Sequence, residues 1–255
     1  MIFVAAGTQD GRELAKFLLD HGYDVAASVV SRYGEQLLAD CRGRKLIIND
    51  QPLNQKSMEA YLQAHDVRLL VDASHPYAVN VSQNAMNACR TLGIPYIRYE
   101  RALTELRYDK IMIVHSYEEA AETAARLGRH IFLTTGSRNL EKFISSPALK
   151  DHVLTARVLP TGEVIGLCEK AGLTPGQIIG MQGPFSKELN KELFQKYQAD
   201  VIVTKNSGAV GGTDTKFAAA EELALPVVVI DRPVMEYGHV GRNYDEILRF
   251  TEENY

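Results

Sequence analysis

Short β-branched runs alternate with amphipathic stretches throughout this chain, and that alternation restricts the fold more than any other feature. It is the pattern of a parallel sheet whose strands are joined by crossover helices. Residues 2–5, 25–30, 45–48, 69–71, 96–98 and 111–114 read as a first series of strands. Residues 131–134, 153–157, 177–181, 201–204 and 227–230 read as a second. The run 69–71 is apolar with no helical spacing, as a strand covered on both faces requires. Helical stretches lie between the strands. Residues 11–21 place Leu14, Phe17 and Leu18 along one face, 79–92 end at Gly93 as a helix stop, and 187–197 and 213–223 separate later strands. Eleven strands are too many for one comfortable open sheet. The expected architecture is α/β, with two doubly wound domains of mainly parallel sheet over residues 1–128 and 129–255. The Gly128-Arg129-His130 turn is the expected boundary, with the extreme C-terminus able to cross back onto the first domain.

A net charge of −4 with no basic tail argues against nucleic acid or an anionic membrane surface as partner. An anionic ligand would have to be met by locally placed cations. No apolar run approaches the roughly 18 residues of a membrane span. The chain starts on a strand followed by a glycine turn, unlike a secretion signal, so a cytoplasmic location is expected. Cys41, Cys89 and Cys168 are far apart and have no metal-ligand spacing. Each reads as a small buried hydrophobe on a helix, and no protein-bound metal is expected.

Polar groups collect where strands end. Asp72-Ala73-Ser74-His75-Pro76-Tyr77-Ala78 follows a buried strand and opens a helix, with Pro76 near the first helical position. Ligands of open α/β sheets bind at the carboxyl ends of strands. His75 there is either a satisfied loop histidine or a proton-handling group. The first turn, Ala5-Ala6-Gly7-Thr8-Gln9-Asp10-Gly11-Arg12, suits either a phosphate approached by backbone and the Thr8 hydroxyl, or a plain strand-to-helix turn. Ser31 and Arg32 after the second strand suit a 2′-phosphate, or else a helix cap and a solvated cation. Further polar loops are Thr134-Thr135-Gly136-Ser137-Arg138, Met181-Gln182-Gly183-Pro184-Phe185-Ser186 and Thr204-Lys205-Asn206-Ser207-Gly208. Ser137 and Ser186 could simply cap helices, whereas Lys205 is well placed for an anion. Arg98 and Arg101 form either a solvated connection with Glu100 or a cationic rim for carboxylates.

Taken in order, these loops resemble the precorrin-6A reductases of corrin biosynthesis. The resemblance is carried by Gly7-Thr8-x-x-Gly11-Arg12, Asp72 to Ala78, Gly93-Ile94-Pro95-Tyr96-Ile97-Arg98-Tyr99-Glu100-Arg101, Leu133 to Arg138, Ala156-Arg157-Val158-Leu159-Pro160, Thr204 to Gly208 and Ile230-Asp231-Arg232-Pro233. It spans nearly the whole chain. Ala6 and Asp10 depart from the family's usual Gly-Gly-Thr-x-Glu-Gly turn. The resemblance implies two Rossmann-like domains with NADPH or NADH in an interdomain cleft. It also implies reduction of one ring double bond of precorrin-6A or its cobalt complex to the 6B form. The cofactor residues it implies are Gly7, Thr8, Gly11, Ser31, Arg32, Asp72 and Ser74. His75, Tyr77 and Lys205 become the catalytic candidates, with a bound water as a further proton source. A polycarboxylate tetrapyrrole would be held by Arg98, Arg101, Thr135, Gly136, Ser137, Arg138, Arg157, Lys205 and Ser207. Two other classes fit paired domains of this kind: a glycosyltransferase using a nucleotide-sugar, and a dinucleotide sensor without turnover.

Overall fold

The computed structural model describes residues 1–29, 38, 45–101, 107–208 and 212–255. Its strands are β1 (Ile2–Ala5), β2 (Val25–Ser28), β3 (Leu46–Asn49), β4 (Leu69–Asp72), β5 (Tyr96–Tyr99), β6 (Ile111–Val114), β7 (His130–Leu133), β8 (Val153–Val158), β9 (Ile178–Gly180), β10 (Val201–Lys205), β11 (Val227–Ile230) and β12 (Val240–Gly241). Its α-helices are α1 (Gln9–Asp20), α2 (Gln55–Ala64), α3 (Val79–Leu92), α4 (Tyr117–Leu127), α5 (Leu140–Ile144), α6 (Gly162–Lys170), α7 (Lys187–Lys196), α8 (Thr213–Glu222) and α9 (Tyr244–Asn254). Among the described residues these strands make two six-stranded sheets, and every pairing is parallel.

The first unit comprises Met1–Ala102 and Pro233–Tyr255, and its sheet runs β3-β2-β1-β4-β5-β12. Side chains alternate across a strand, so a sheet with helices on both faces needs apolar residues at successive positions. β1 meets that need: Ile2 and Val4 join a cluster with Leu14 and Leu18 of α1 and Ile247 of α9. Met1, Phe3 and Ala5 join the opposite cluster with Met58 and Leu62 of α2 and Ala85, Ala88 and Cys89 of α3. Burial of each large side chain contributes ~1.5–3 kcal/mol. Gly93, at φ 68°, closes α3 in the left-handed region, as expected of a helix stop.

The second unit comprises Leu103–Arg232, with sheet order β9-β8-β7-β10-β11-β6. Phe132, Phe194, Phe217, Ile202, Val227 and Val229 pack together on one face, beneath α7 and α8. α4 lies against β10 and β11. Both sheets are built the same way. A strand at the centre is followed by two neighbours on one side, and then the chain returns to build on the other side. The sixth strand falls outside this order: β12 is an import from the end of the chain in the first unit, and β6 precedes its companions in the second.

That arrangement corrects the expected boundary at residues 128 and 129. β6 pairs with β11, so residues from 107 to 128 belong to the second unit, and β12 with α9 returns to the first. The Gly128-Arg129-His130 turn is no linker: Asp200 Oδ2 accepts from the backbone N–H of Arg129 and of His130, each at 2.8 Å. The remaining strands fall within a few residues of their expected positions. β12 escaped notice because two residues carry no periodicity.

Candidate active site

In open parallel sheets the crevice at which strand order reverses is where ligands bind. In the first sheet that point lies between β1 and β4, the two strands whose following turns the sequence singles out. Thr8 joins the turns. Its Oγ1 accepts from Gly11 N at 3.0 Å, capping α1, and donates to Ala73 O at 3.0 Å. The Thr8 hydroxyl is thus engaged with both turns in this structure. Gly11 shows the same closeness: a Cβ there would stand 2.9 Å from Ala6 Cα and 3.0 Å from Ala73 O. Gly7 is exposed at the turn.

Asp72 ends β4 and is completely buried. Its Oδ1 accepts from Ser74 N at 3.0 Å and from Arg98 Nη1 at 2.9 Å, and its Oδ2 accepts from the Tyr96 hydroxyl at 2.8 Å. Arg98, 1% exposed, also donates to Ser74 Oγ at 3.1 Å and to Glu100 at 3.1 Å. Burial alone would raise the Asp72 carboxyl, but the Arg98 guanidinium and hydrogen bonds from Ser82 and Ser74 hold it below the ordinary carboxylate value. Asp72, Ser74 and Arg98 are therefore a buried scaffold under the turn, and not the ligand-facing groups expected. Arg101 is likewise turned inward, with its Nε 2.9 Å from Asp10 Oδ2 at the start of α1. Burial pushes the Asp10 carboxyl up, against the pull of Arg101.

The scaffold presents His75 and Tyr77, both half-buried, on a turn closed by Ala78 N donating to His75 O at 2.8 Å. Pro76 occupies the second turn position, which its fixed φ favours, and α3 begins only at Val79. Tyr77 N–H donates to His75 Nδ1 at 3.2 Å. A neutral imidazole accepting there carries its proton on Nε2. Ser31 and Arg32 lie outside the described residues, as does Cys41. Cys89 and Cys168 are buried free thiols, and burial followed by Asp72 pushes Cys89 up to about 12.

The second sheet reverses order between β7 and β10, and a side chain again ties the two loops. Lys205 Nζ donates to Thr135 O at 2.8 Å and lies 5.6 Å from the Tyr117 ring centroid. Burial, then the Arg138 charge, pushes Lys205 down to about 8. Thr135 and Ser207 are buried, Gly136 and Arg138 exposed, and Ser137 half-buried. Arg157, on β8, is 7% exposed, donates to Asn190 Oδ1 at 2.7 Å and sits 4.0 Å from the Phe185 ring centroid. Burial pushes it down to about 10. Ser186 caps α7 through Leu189 N, as expected, whereas Asn139 occupies the cap position of α5 in place of Ser137. Sequence reading missed Asn190 and Lys216, both buried on helices beside Arg157 or acted on by its charge. A hollow of about 510 Å³ lined by Leu149, His152, Leu154 and Leu173 lies at the start of β8, the edge opposite these loops. No group of three or more His, Cys, Asp or Glu among the described residues is placed to hold a metal ion.

Two parallel sheets, each with polar side chains gathered where strand order reverses, define a doubly wound α/β protein. Comparison with known proteins narrows this. The chain belongs to the family described as precorrin-6x reductase CbiJ/CobK, whose model matches residues 1–252. It is 41% identical to the cobalt-precorrin-6A reductase of Priestia megaterium, over 97% of this chain and 96% of that protein. Its identity to the Methanocaldococcus jannaschii protein of the same name is 34%, over 98% and 97% of the two chains. Among solved structures it is similar to CobK precorrin-6A reductase, with a TM-score of 0.78 at 26% identity, covering 99% of this chain and 96% of that one.

Proposed function

We propose that this chain is a cytoplasmic enzyme that reduces one ring C=C bond of cobalt-precorrin-6A, using NADH or NADPH, to give the 6B form. Membership of a reductase family over residues 1–252 is the observation that carries this reading. The cobalt form is favoured because relatives at 41% and 34% identity carry that name, while the solved structure named for the metal-free substrate is 26% identical. Cobalt is then part of the substrate.

The residues present fit a dinucleotide at the first reversal point. Gly11 brings the start of α1 against the ends of β1 and β4, so its first-turn N–H groups and positive dipole end face the crevice beside exposed Gly7. β2 ends in Ser28 rather than an acidic residue. A bound reduced nicotinamide supplies hydride to one carbon of the double bond. The neighbouring carbon takes a proton that comes from solvent, and we assign to His75 the positioning of the delivering water at Nε2, with the ring fixed by the Tyr77 N–H at Nδ1. Asp72 and Arg98 hold the backbone of that turn from beneath. In the second unit, Arg138, Lys205 and Ser207 are assigned to the acid arms of the macrocycle, whose negative charges the protein's net −4 does not attract on its own.

The test is an anaerobic absorbance assay of precorrin-6A and its cobalt complex, each with NADH and with NADPH. The reading requires loss of the reduced-nicotinamide band with a change in the macrocycle spectrum in at least one mixture. His75→Asn should then lower kcat about 10²–10⁴-fold. Four silent mixtures with folded protein would overturn the reading, and binding of a nucleotide-sugar would replace it.

A further inference from the structure

Lys216 is a charge that the reductase reading leaves unused, and it sits where a lysine is destabilising. It lies one turn into α8, on the buried stripe Thr213, Lys216, Phe217 and Ala220, and is 6% exposed. Spacings of three and four residues put these side chains on one helix face. No hydrogen bond or ion pair reaches its ammonium from the described residues. Asp214, on the same helix, is exposed, and the other charges acting on Lys216 are the cations Arg157 from β8 and Lys205 from β10. Burial, then those two cations, push Lys216 down to about 7.

The surroundings repeat the imbalance. Arg157 is held by neutral Asn190 and the Phe185 ring, with no acidic partner among the described residues. Thr213 Oγ1 and Thr135 Oγ1 are buried and have no hydrogen-bond partner among the described residues. Buried polar groups without partners cost stability, and native structures retain few of them. Lys216 and Arg157, with two unsatisfied hydroxyls, lack an acceptor with several oxygens at this end of the sheet, where Lys205 adds a further positive charge.

We propose that Lys216, Arg157 and Lys205, with the hydroxyls of Thr213 and Thr135, form a buried receptor for a single oxyanion, a carboxylate or a phosphate, at the reversal point of the second sheet. The receptor is argued from the residues alone. Its occupant rests on the reductase reading, which offers an acid arm of the tetrapyrrole or a phosphate of the dinucleotide.

The decisive variant is Lys216→Met, which keeps the stem and removes the ammonium. In the full chain it should raise the Tm, since the unpaired charge is gone, while weakening oxyanion binding about tenfold or more. Citrate and inorganic pyrophosphate serve as carboxylate and phosphate probes in thermal-shift titrations. Either probe should raise the wild-type Tm and lose that effect in Lys216→Met. Direct titration then separates the sources. A weakened Kd for cobalt-precorrin-6A with unchanged NADPH and NADH binding marks an acid arm, and the reverse marks a cofactor phosphate. Probe shifts unaltered by the variant, or a wild-type Tm that neither probe moves, would overturn the receptor. Should Lys216→Met fail to fold, Thr213→Val carries the same titrations with a several-fold loss expected. Failure of the wild type to oxidise NADH or NADPH would remove the reductase reading and leave the probe titrations to decide the receptor.

Discussion

Among the described residues of the first unit, Arg98 and Asp72 are the charges buried most completely, 1% and 0% exposed, and they pair with each other at 2.9 Å. Removing one partner of such a pair leaves an uncompensated charge, which costs ~3–5 kcal/mol. Asp72→Asn should therefore destabilise the protein by about that amount near neutral pH, by urea unfolding. The pH dependence follows from the depressed carboxyl. An unfolded Asp titrates near ~3.9. Because the folded group lies below that value, its stabilisation is complete above about pH 4 and fades as pH falls through the folded value. The gap between wild type and Asp72→Asn should narrow below about pH 4. A gap that stays constant down to acid unfolding would mean the pair is not ionised. The residue types at these positions were plain in the sequence, but their roles were not. Arg98 reads as a rim cation until Tyr96, Glu100 and Asp72 are seen around it, and Lys216 reads as an ordinary helix lysine. A signal for Lys216 did exist, since it occupies the stripe that Phe217 and Ala220 mark as buried.

At the scale of elements, the contact of α1 with the ends of β1 and β4 sets the geometry of the first crevice. A methyl at Gly11 would meet the backbone of Ala6, Ala73 and Ala5 at 2.9, 3.0 and 3.2 Å, and backbone yields less readily than a side-chain tip. Gly11→Ala should push α1 outward, lower the Tm, and weaken NADH or NADPH binding about tenfold or more, as misplacing a helix N-terminus loses charge-assisted hydrogen bonds to phosphate. Unchanged nucleotide affinity in a folded Gly11→Ala protein would remove α1 from the cofactor site. Thr8 belongs to this element as well. Its cap and its bond to Ala73 O make it a structural tie, so Thr8→Val should cost ~1–2 kcal/mol of stability in urea unfolding. Retained wild-type stability would show that the tie contributes nothing. The glycine turn and the Asp72 to Ala78 loop were recognisable in the sequence as belonging together, but the hydroxyl-to-carbonyl bond that joins them spans 65 residues and left no local trace.

For the molecule as a whole, the return of β12 and α9 to the first unit ties the end of the chain to its beginning. Arg98 N donates to His239 O at 2.9 Å and Glu100 N to Gly241 O at 2.9 Å, while Ile247 is fully buried in the same cluster as Ile2 and Val4. Truncation after Arg232 would expose the β5 edge and that cluster. The shortened chain should lose the cooperative unfolding of the first unit in calorimetry, and a truncated protein that melts like the full chain would contradict this. The strands of both sheets were legible because a strand covered on two faces must be apolar at successive positions, a condition met within four or five residues. The polar turns were legible because Gly, Pro, Ser and Asp act on the backbone nearest to them. The unit boundary, the two-residue β12, the burial of Arg98 and the isolation of Lys216 were not legible. Each depends on which elements lie side by side, and burial and pairing of a charge are properties of its neighbours in space, not of its neighbours along the chain.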